Sequence, residues 1–154
     1  MIVFFDSNEE IEELIEAFRT RTLPKNDWTH EAHLTVAIWF LRNHNLDEAT
    51  CQLKSSIISY NLSVGGVNDG SHGYHETLSI FWIDVVHFFV TQNDDLELID
   101  AVNQFLNNSL ANRRLPFMFY HNEELLASPA RARYLSPNKE PMTAAALKQL
   151  MDEI

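Results

Sequence analysis

The chain has 154 residues, 45% of them apolar, and a formal net charge of −11. That length suits one domain with a sizeable core, spanning residues 1–154, and the composition excludes a disordered chain. The acidic balance, with no basic block and six of the eleven Lys and Arg scattered after residue 112, excludes nucleic acid and an anionic membrane surface as expected partners.

The single cysteine, Cys51, permits no internal disulfide and fits a reducing cytoplasm. The opening MIVFFDSNEE lacks the basic and long apolar regions of a signal peptide. The longest apolar stretches, such as residues 36–41, are too short to cross a bilayer. A soluble, cytoplasmic protein is expected. Ten Phe, four Tyr and three Trp predict a core held largely by ring burial.

In chain order, Ser7 with Glu10 three residues on has the form of a capping box, and Ile11, Leu14, Ile15 and Phe18 form an apolar stripe. This first helix should end near Thr22, ahead of Leu23 and Pro24. A second should start at Asp27 to Thr29 and run to about Asn43. A third should span about Leu46 to Asn61. All four glycines then fall between Gly65 and Gly73, which predicts a mobile loop. A fourth helix is expected from about Tyr74 to Thr91 and a fifth from about Leu96 to Leu110. Beyond it, Pro116, Pro129, Pro137 and Pro141 should break the chain into short pieces, with short helices near Asn122–Ala127 and Thr143–Met151. No period-2 strand stands out. The expected architecture is all-α: a single-domain helical bundle or array of about five main helices with an irregular, Pro-containing C-terminal part.

Three of the seven histidines stand out by position. At about 100° per residue, His30 and His33 share a face with Leu34, Ala37, Ile38 and Leu41. His75 shares one with Leu78, Ser79, Trp82, Val85, Val86 and Phe89. Each stripe thus opens with an inward-facing imidazole at a helix N-terminus, where the dipole disfavours imidazolium and keeps the ring neutral. Neutral imidazoles at such spacing suit a divalent metal (Zn, Fe, Mn or Ni), with Glu76 or Glu31 adding a carboxylate and an open position left for water. The competing reading is that these histidines complete buried hydrogen bonds or cap helix ends. A metal-free acid–base pair of His75 with Glu76 or Glu31 is a third. His72 falls in the glycine loop, His44 near a helix C-terminus, His87 off the stripe, and His121 at the start of a short helix. No phosphate-cradling glycine motif, nucleophile elbow, CxxC or H-E-x-x-H is present.

The segments WTHEAHLTVAIWFL and GYHETLSIFW together resemble a family of small bacterial proteins of unassigned activity. Its members carry W-[TN]-H-x-A-H-L and, later, Y-H-E-T. FYHNEELLASPARARYLSPN resembles the family's later tyrosine, serine, Ala-Arg and proline pattern. It departs from that pattern at Asn138, where the family usually has an acidic residue after the proline. The resemblance implies that His30, His33, His75 and Glu76 act together. It also implies that Trp28, Tyr74, Thr77 and one of Arg131 and Arg133 support the site or face a substrate.

Two functional readings follow. In the first, the protein is a metal-dependent enzyme of hydrolase or lyase type acting on a small molecule. His30, His33 and His75 hold the ion, Glu76 acts as catalytic base or fourth ligand, Trp28, Tyr74 and Arg131 face the substrate, and the glycine loop gates access. A 2-His-1-carboxylate iron site is its variant. In the second, a non-catalytic helical module binds a small molecule or a protein, and the histidines are structural. The sequence leaves the oligomeric state open.

Overall fold

The computed structural model describes residues 1–153. Their regular structure is all helical, with nine α-helices and two short 3-10 turns. The longer helices are α1 (Asn8–Arg19), α2 (His30–Asn43), α3 (Leu46–Ser63), α4 (Glu76–Gln92) and α5 (Leu98–Leu106). The shorter are α6 (Pro116–Phe119), α7 (Asn122–Leu126), α8 (Ser128–Ala132) and α9 (Ala144–Met151). The 3-10 turns cover Lys25–Asp27 and Ser109–Ala111. No described helix is long and apolar enough to cross a membrane.

Local sequence sets the helix starts. Ser7, Thr29, Asn45 and Thr143 each accept the amide hydrogen three residues on, at 2.9–3.2 Å. Each satisfies one amide that a helix leaves unpaired, which contributes about 1 kcal/mol. Glu10 reaches back to the Asp6 N–H (2.9 Å), one residue short of the expected capping box. The N-terminal residues are tied to α5 by two side chains. Asn103 accepts from the Phe4 N–H and donates to the Phe5 carbonyl, and Asn107 accepts from the Ile2 N–H and donates to the Ile2 carbonyl.

α2 and α4 form the centre, packed on each other, with α1, α3 and α5 around α2 and α3, α8 and α9 around α4. Both are apolar on several faces. α2 buries Leu34, Val36, Ala37, Ile38, Phe40 and Leu41. α4 buries Phe81, Ile83, Val85, Val86 and Phe89. Such helices take the interior, and a single-stripe wheel describes them poorly. The core is aromatic as expected. Phe18, Phe40, Phe81 and Phe105 are fully buried, each contributing about 1.5–3 kcal/mol. Tyr60 and Tyr120 are buried with their hydroxyls donating to the carbonyls of Leu23 (2.9 Å) and Leu135 (2.8 Å).

The C-terminal part departs most from expectation. Pro116 and Pro129 do not break helices but open α6 and α8, where a missing N–H costs nothing. The fifth helix stops at Leu106, because Asn108 caps the following 3-10 turn by accepting from the Leu110 N–H (3.0 Å). The glycine loop makes hydrogen bonds within itself and to α8. Asn68 accepts from the Tyr74 N–H (2.9 Å), Ser128 donates to the Gly70 carbonyl (2.8 Å), and Arg131 donates to the Gly73 carbonyl (2.9 Å). Gly73 has φ +80°, and a Cβ there would collide with the Val67 carbonyl and the Asn68 side chain.

One buried hydroxyl joins α4 to this region. Thr77 donates to the Ala130 carbonyl (2.6 Å), with the Arg133 carbonyl 3.1 Å away, and accepts from the Leu135 N–H (3.0 Å). Thr77→Val keeps the shape and leaves these groups unpaired. It should cost about 1–3 kcal/mol in chemical denaturation and speed hydrogen exchange at the Leu135 amide. Unchanged protection of that amide would show the clamp to be dispensable.

Candidate functional site

The three singled-out histidines do not meet. His75 is not the first inward residue of α4 but its N-cap, outside the helix proper. Its Nδ1 accepts from the Leu78 N–H (3.1 Å), and its Nε2 donates to the Leu125 carbonyl (3.0 Å). Both ring nitrogens are committed and the residue is buried, so no lone pair remains for a metal. Burial holds its pKa below the ordinary value; the nearby Arg131 adds to this, and the bond to Leu125 opposes it. Among the described residues, no three His, Cys, Asp or Glu side chains gather closely enough to hold a metal ion. The expected His30, His33 and His75 triad is not among groupings of the described residues that could hold a metal ion. The wheel assumed a helical His75, whereas a cap residue turns its ring back over its own first turn.

His30 and His33 do come together, at a small chamber of about 90 Å³ between α2, α3 and α4. Its wall includes Trp28, Leu53, Ile57, Ser79 and Trp82. His30 donates from Nε2 to the Ala111 carbonyl (2.8 Å), which leaves Nδ1 as the lone-pair nitrogen of the neutral ring. The His30 ring meets Trp82 edge-on, with centroids 5.1 Å apart. His33 stacks on Trp28 at 3.8 Å, and Trp28 stacks in turn on Phe18 at 4.6 Å. His33 is an exposed residue that also lines the chamber, and no described group hydrogen-bonds its nitrogens. Burial, then a proton on His30, then Arg113 lower its pKa to about 3. Solvent reaching the open edge tempers that shift without reversing it.

Glu76 faces a different hollow. A wide cleft of about 420 Å³ lies between α3, the glycine loop and α8, lined by Lys54, Asn68, Asp69, Tyr74, Glu76 and Arg131. Tyr74 donates to Glu76 Oε1 (2.6 Å), and Lys54 donates to Oε2 (3.0 Å). Burial alone would raise the Glu76 pKa, but the two hydrogen bonds and the Lys54 charge outweigh it and keep the carboxylate ionised. Burial and the Glu76 carboxylate raise the Tyr74 pKa well above 10, so the phenol keeps its proton. Arg131 braces the loop through the Gly73 carbonyl and has no carboxylate partner among the described residues. Cleft and chamber share a wall: Ser79 lines the chamber and lies beside the Tyr74 hydroxyl.

The expected site residues thus divide. Tyr74, Glu76 and Arg131 line the cleft, Trp28, His30 and His33 line the chamber, and His75 and Thr77 fasten α4 to the C-terminal region. Lys54, Asn68, Ser79 and Arg113 were missed. One signal pointed to Lys54, the only Lys or Arg between Arg42 and Arg113. The other histidines are peripheral. His44 closes α2 with Nδ1 donating to the Phe40 carbonyl (3.1 Å), His72 pairs with Asp69 on the exposed loop, and His121 precedes α7.

Folding holds His33 and His75 neutral, whereas in the unfolded chain each titrates near 6.5. Their contribution to stability is full above about pH 6.5 and is lost as pH falls below it toward the depressed folded values. The urea midpoint should therefore fall between about pH 7 and about pH 5. His75→Asn keeps a cap acceptor but does not titrate, so its midpoint should fall less steeply. A slope equal to the wild type's would remove His75 from this account.

The chain matches no protein-family model, no curated protein and no solved structure.

Proposed function

We propose that the protein is a small-molecule-binding helical module, with the cleft at Lys54, Tyr74, Glu76 and Arg131 as its binding site. The observation that carries this reading is Glu76, an ionised carboxylate fixed between a phenol and an ammonium on the wall of a 420 Å³ cleft. That volume lies within the roughly 300–1,000 Å³ usual for small-molecule sites. The ligand this wall suits is small and polar, with an anionic group for Arg131 and a hydrogen-bond donor for the remaining acceptor capacity of Glu76.

Binding is favoured over acid–base catalysis because neither Glu76 nor Tyr74 is shifted toward neutral pH. Glu76 is shifted down and stays ionised, and Tyr74 is shifted up and stays protonated. A general acid or base works best with a pKa near the operating pH. A fixed Tyr–Glu–Lys network instead supplies oriented dipoles to a ligand without giving up a proton. The metal-dependent enzyme reading loses a ligand at His75, whose lone pair caps α4.

NMR titration with a panel of small polar metabolites carrying both an anionic group and a hydrogen-bond donor tests the assignment. Shifts should concentrate at Lys54, Tyr74, Glu76 and Arg131. Glu76→Gln, which loses charge-assisted bonds, should weaken binding by about tenfold or more. If no compound shifts these residues, or if Glu76→Gln and Lys54→Met bind as the wild type does, the cleft is not the site.

A further inference from the structure

A polar hollow of about 110 Å³ lies between the end of α1 and α3. Arg19 and Arg21 line it from the last residue of α1 and the turn beyond, and Ser55, Ser56 and Ser59 line it from α3. Its lining holds no Asp or Glu and shares no residue with the cleft or the chamber. That charge runs against the rest of the chain, which carries 22 Asp and Glu against 11 Lys and Arg.

Neither arginine is spent on the helix end. A cation there ordinarily serves the last carbonyls or offsets the dipole. In α1 the backbone meets those carbonyls itself. Glu16 accepts from the Thr20 N–H (2.9 Å), Ala17 from the Thr22 N–H (2.8 Å), and Phe18 from the Arg21 N–H (3.1 Å). The dipole amounts to about half a charge, and two full charges stand beside it. Among the described residues neither guanidinium pairs with a carboxylate, Glu16 one turn before Arg19 included.

Arg21 adds a backbone observation. It is the only non-glycine residue among those described with a positive φ, +61°. It follows the C-cap Thr20, a place usually held by glycine because a Cβ is strained there. The turn therefore does not account for the side chain, whereas the hollow that this side chain lines does. The Arg19 guanidinium lies over the Trp39 ring, 5.4 Å from its centroid. Such packing uses the face of the guanidinium and leaves its edge N–H groups for an acceptor.

The serines complete a set of donors. Ser55 gives its proton to the Gln52 carbonyl (3.2 Å). Ser56 and Ser59, one turn apart on α3, line the hollow with hydroxyls that no described group engages. One arginine fork already satisfies the two oxygens of a carboxylate. Two forks and two hydroxyls suit the three or four oxygens of a phosphate group better. The hollow exceeds the roughly 30 Å³ share of one water and falls short of the roughly 150 Å³ cavity that holds a benzene ring. A phosphate group fits inside, and whatever carries it lies outside in solvent.

We propose that this hollow binds a phosphate group, as inorganic phosphate or as the terminal group of a small phosphomonoester.

Inorganic phosphate and glycerol 3-phosphate, each titrated into the 154-residue chain at constant low ionic strength with chloride as balancing ion, test this. The amide signals of Arg21, Ser56 and Ser59 and the Nε–H signals of Arg19 and Arg21 should shift together. The indole N–H of Trp39 should follow through Arg19. The compound that binds more tightly names the source, free phosphate or a phosphomonoester. Arg21→Gly separates binding from folding. It suits the left-handed turn and removes the guanidinium, so the urea midpoint should hold or rise while phosphate affinity falls about tenfold or more. Arg19→Lys keeps the charge but loses the fork and should weaken binding several-fold. Ser56→Ala with Ser59→Ala should do the same, with helical circular dichroism unchanged.

Absence of these shifts at about 50 mM of either compound overturns the proposal. So does an equal response to chloride, or a phosphate affinity that Arg21→Gly leaves unchanged. Binding to phosphatidylserine vesicles without a response to either small compound would assign this face to a membrane and overturn it as well. The cleft is read at Lys54, Glu76 and Arg131 and this hollow at Arg21, Ser56 and Ser59, so either assignment can fail while the other stands.

Discussion

The start of α4 is the junction on which the rest of the molecule depends. Three consecutive residues, His75, Glu76 and Thr77, leave the chain in different directions and make different bonds. His75 caps the helix and reaches the last turn of α7 through the Leu125 carbonyl. Thr77 holds the Ala130 carbonyl and the Leu135 amide, which fixes α8 and the segment after it. Glu76, between them, turns to the cleft and is met there by Lys54 of α3 and by Tyr74. The two structural side chains are buried, and each has its polar atoms satisfied. A buried polar group left unpaired costs about 1–3 kcal/mol, so these ties give a short, proline-containing region a defined position where apolar contact alone would leave it free to shift. The cleft wall formed by Arg131 exists only because α8 is held there.

A second constraint comes from the aromatic column beneath the chamber. Phe18 of α1, Trp28 in the turn before α2, and the His33 imidazole lie face to face. Tyr60 of α3 closes the side of the column, and its hydroxyl holds the Leu23 carbonyl. The stack fixes the plane of the His33 ring without using its nitrogens. Packing therefore orients the imidazole, while hydrogen bonding is left for whatever enters the chamber. His75 shows the opposite arrangement, its ring oriented entirely by two hydrogen bonds and left with nothing to offer.

The sequence made the all-helical class and the starts of α1, α2 and α3 legible, because Ser7, Thr29 and Asn45 are strong caps ahead of apolar runs. It was less informative about α6 and α8, where a proline reads equally as a breaker or as the first residue of a helix. The candidate site was legible residue by residue but not as an arrangement. Trp28, His30 and His33 do share one hollow, and Tyr74, Glu76 and Arg131 another. Their separation turned on whether α4 begins at Tyr74 or at Glu76. A shift of one or two residues in a boundary moves a side chain from the helix face to the cap, and spacing alone does not resolve that. Arg113 was out of reach for another reason: it acts across a long sequence separation that no local period encodes.

The two hollows differ in size and in the charges that line them. In the cleft, Lys54 pairs with Glu76, Arg131 and Asp69 add one charge of each sign, and the Glu76 carboxylate is still able to accept further bonds. The space is large and open, so water screens what is left over, and recognition there has to come from directed hydrogen bonds. The chamber is smaller and has no carboxylate in its lining. Removing the positive charge at Arg113 should restore only part of the basicity of His33, since Arg113 acts through space and comes after desolvation and His30 among the causes.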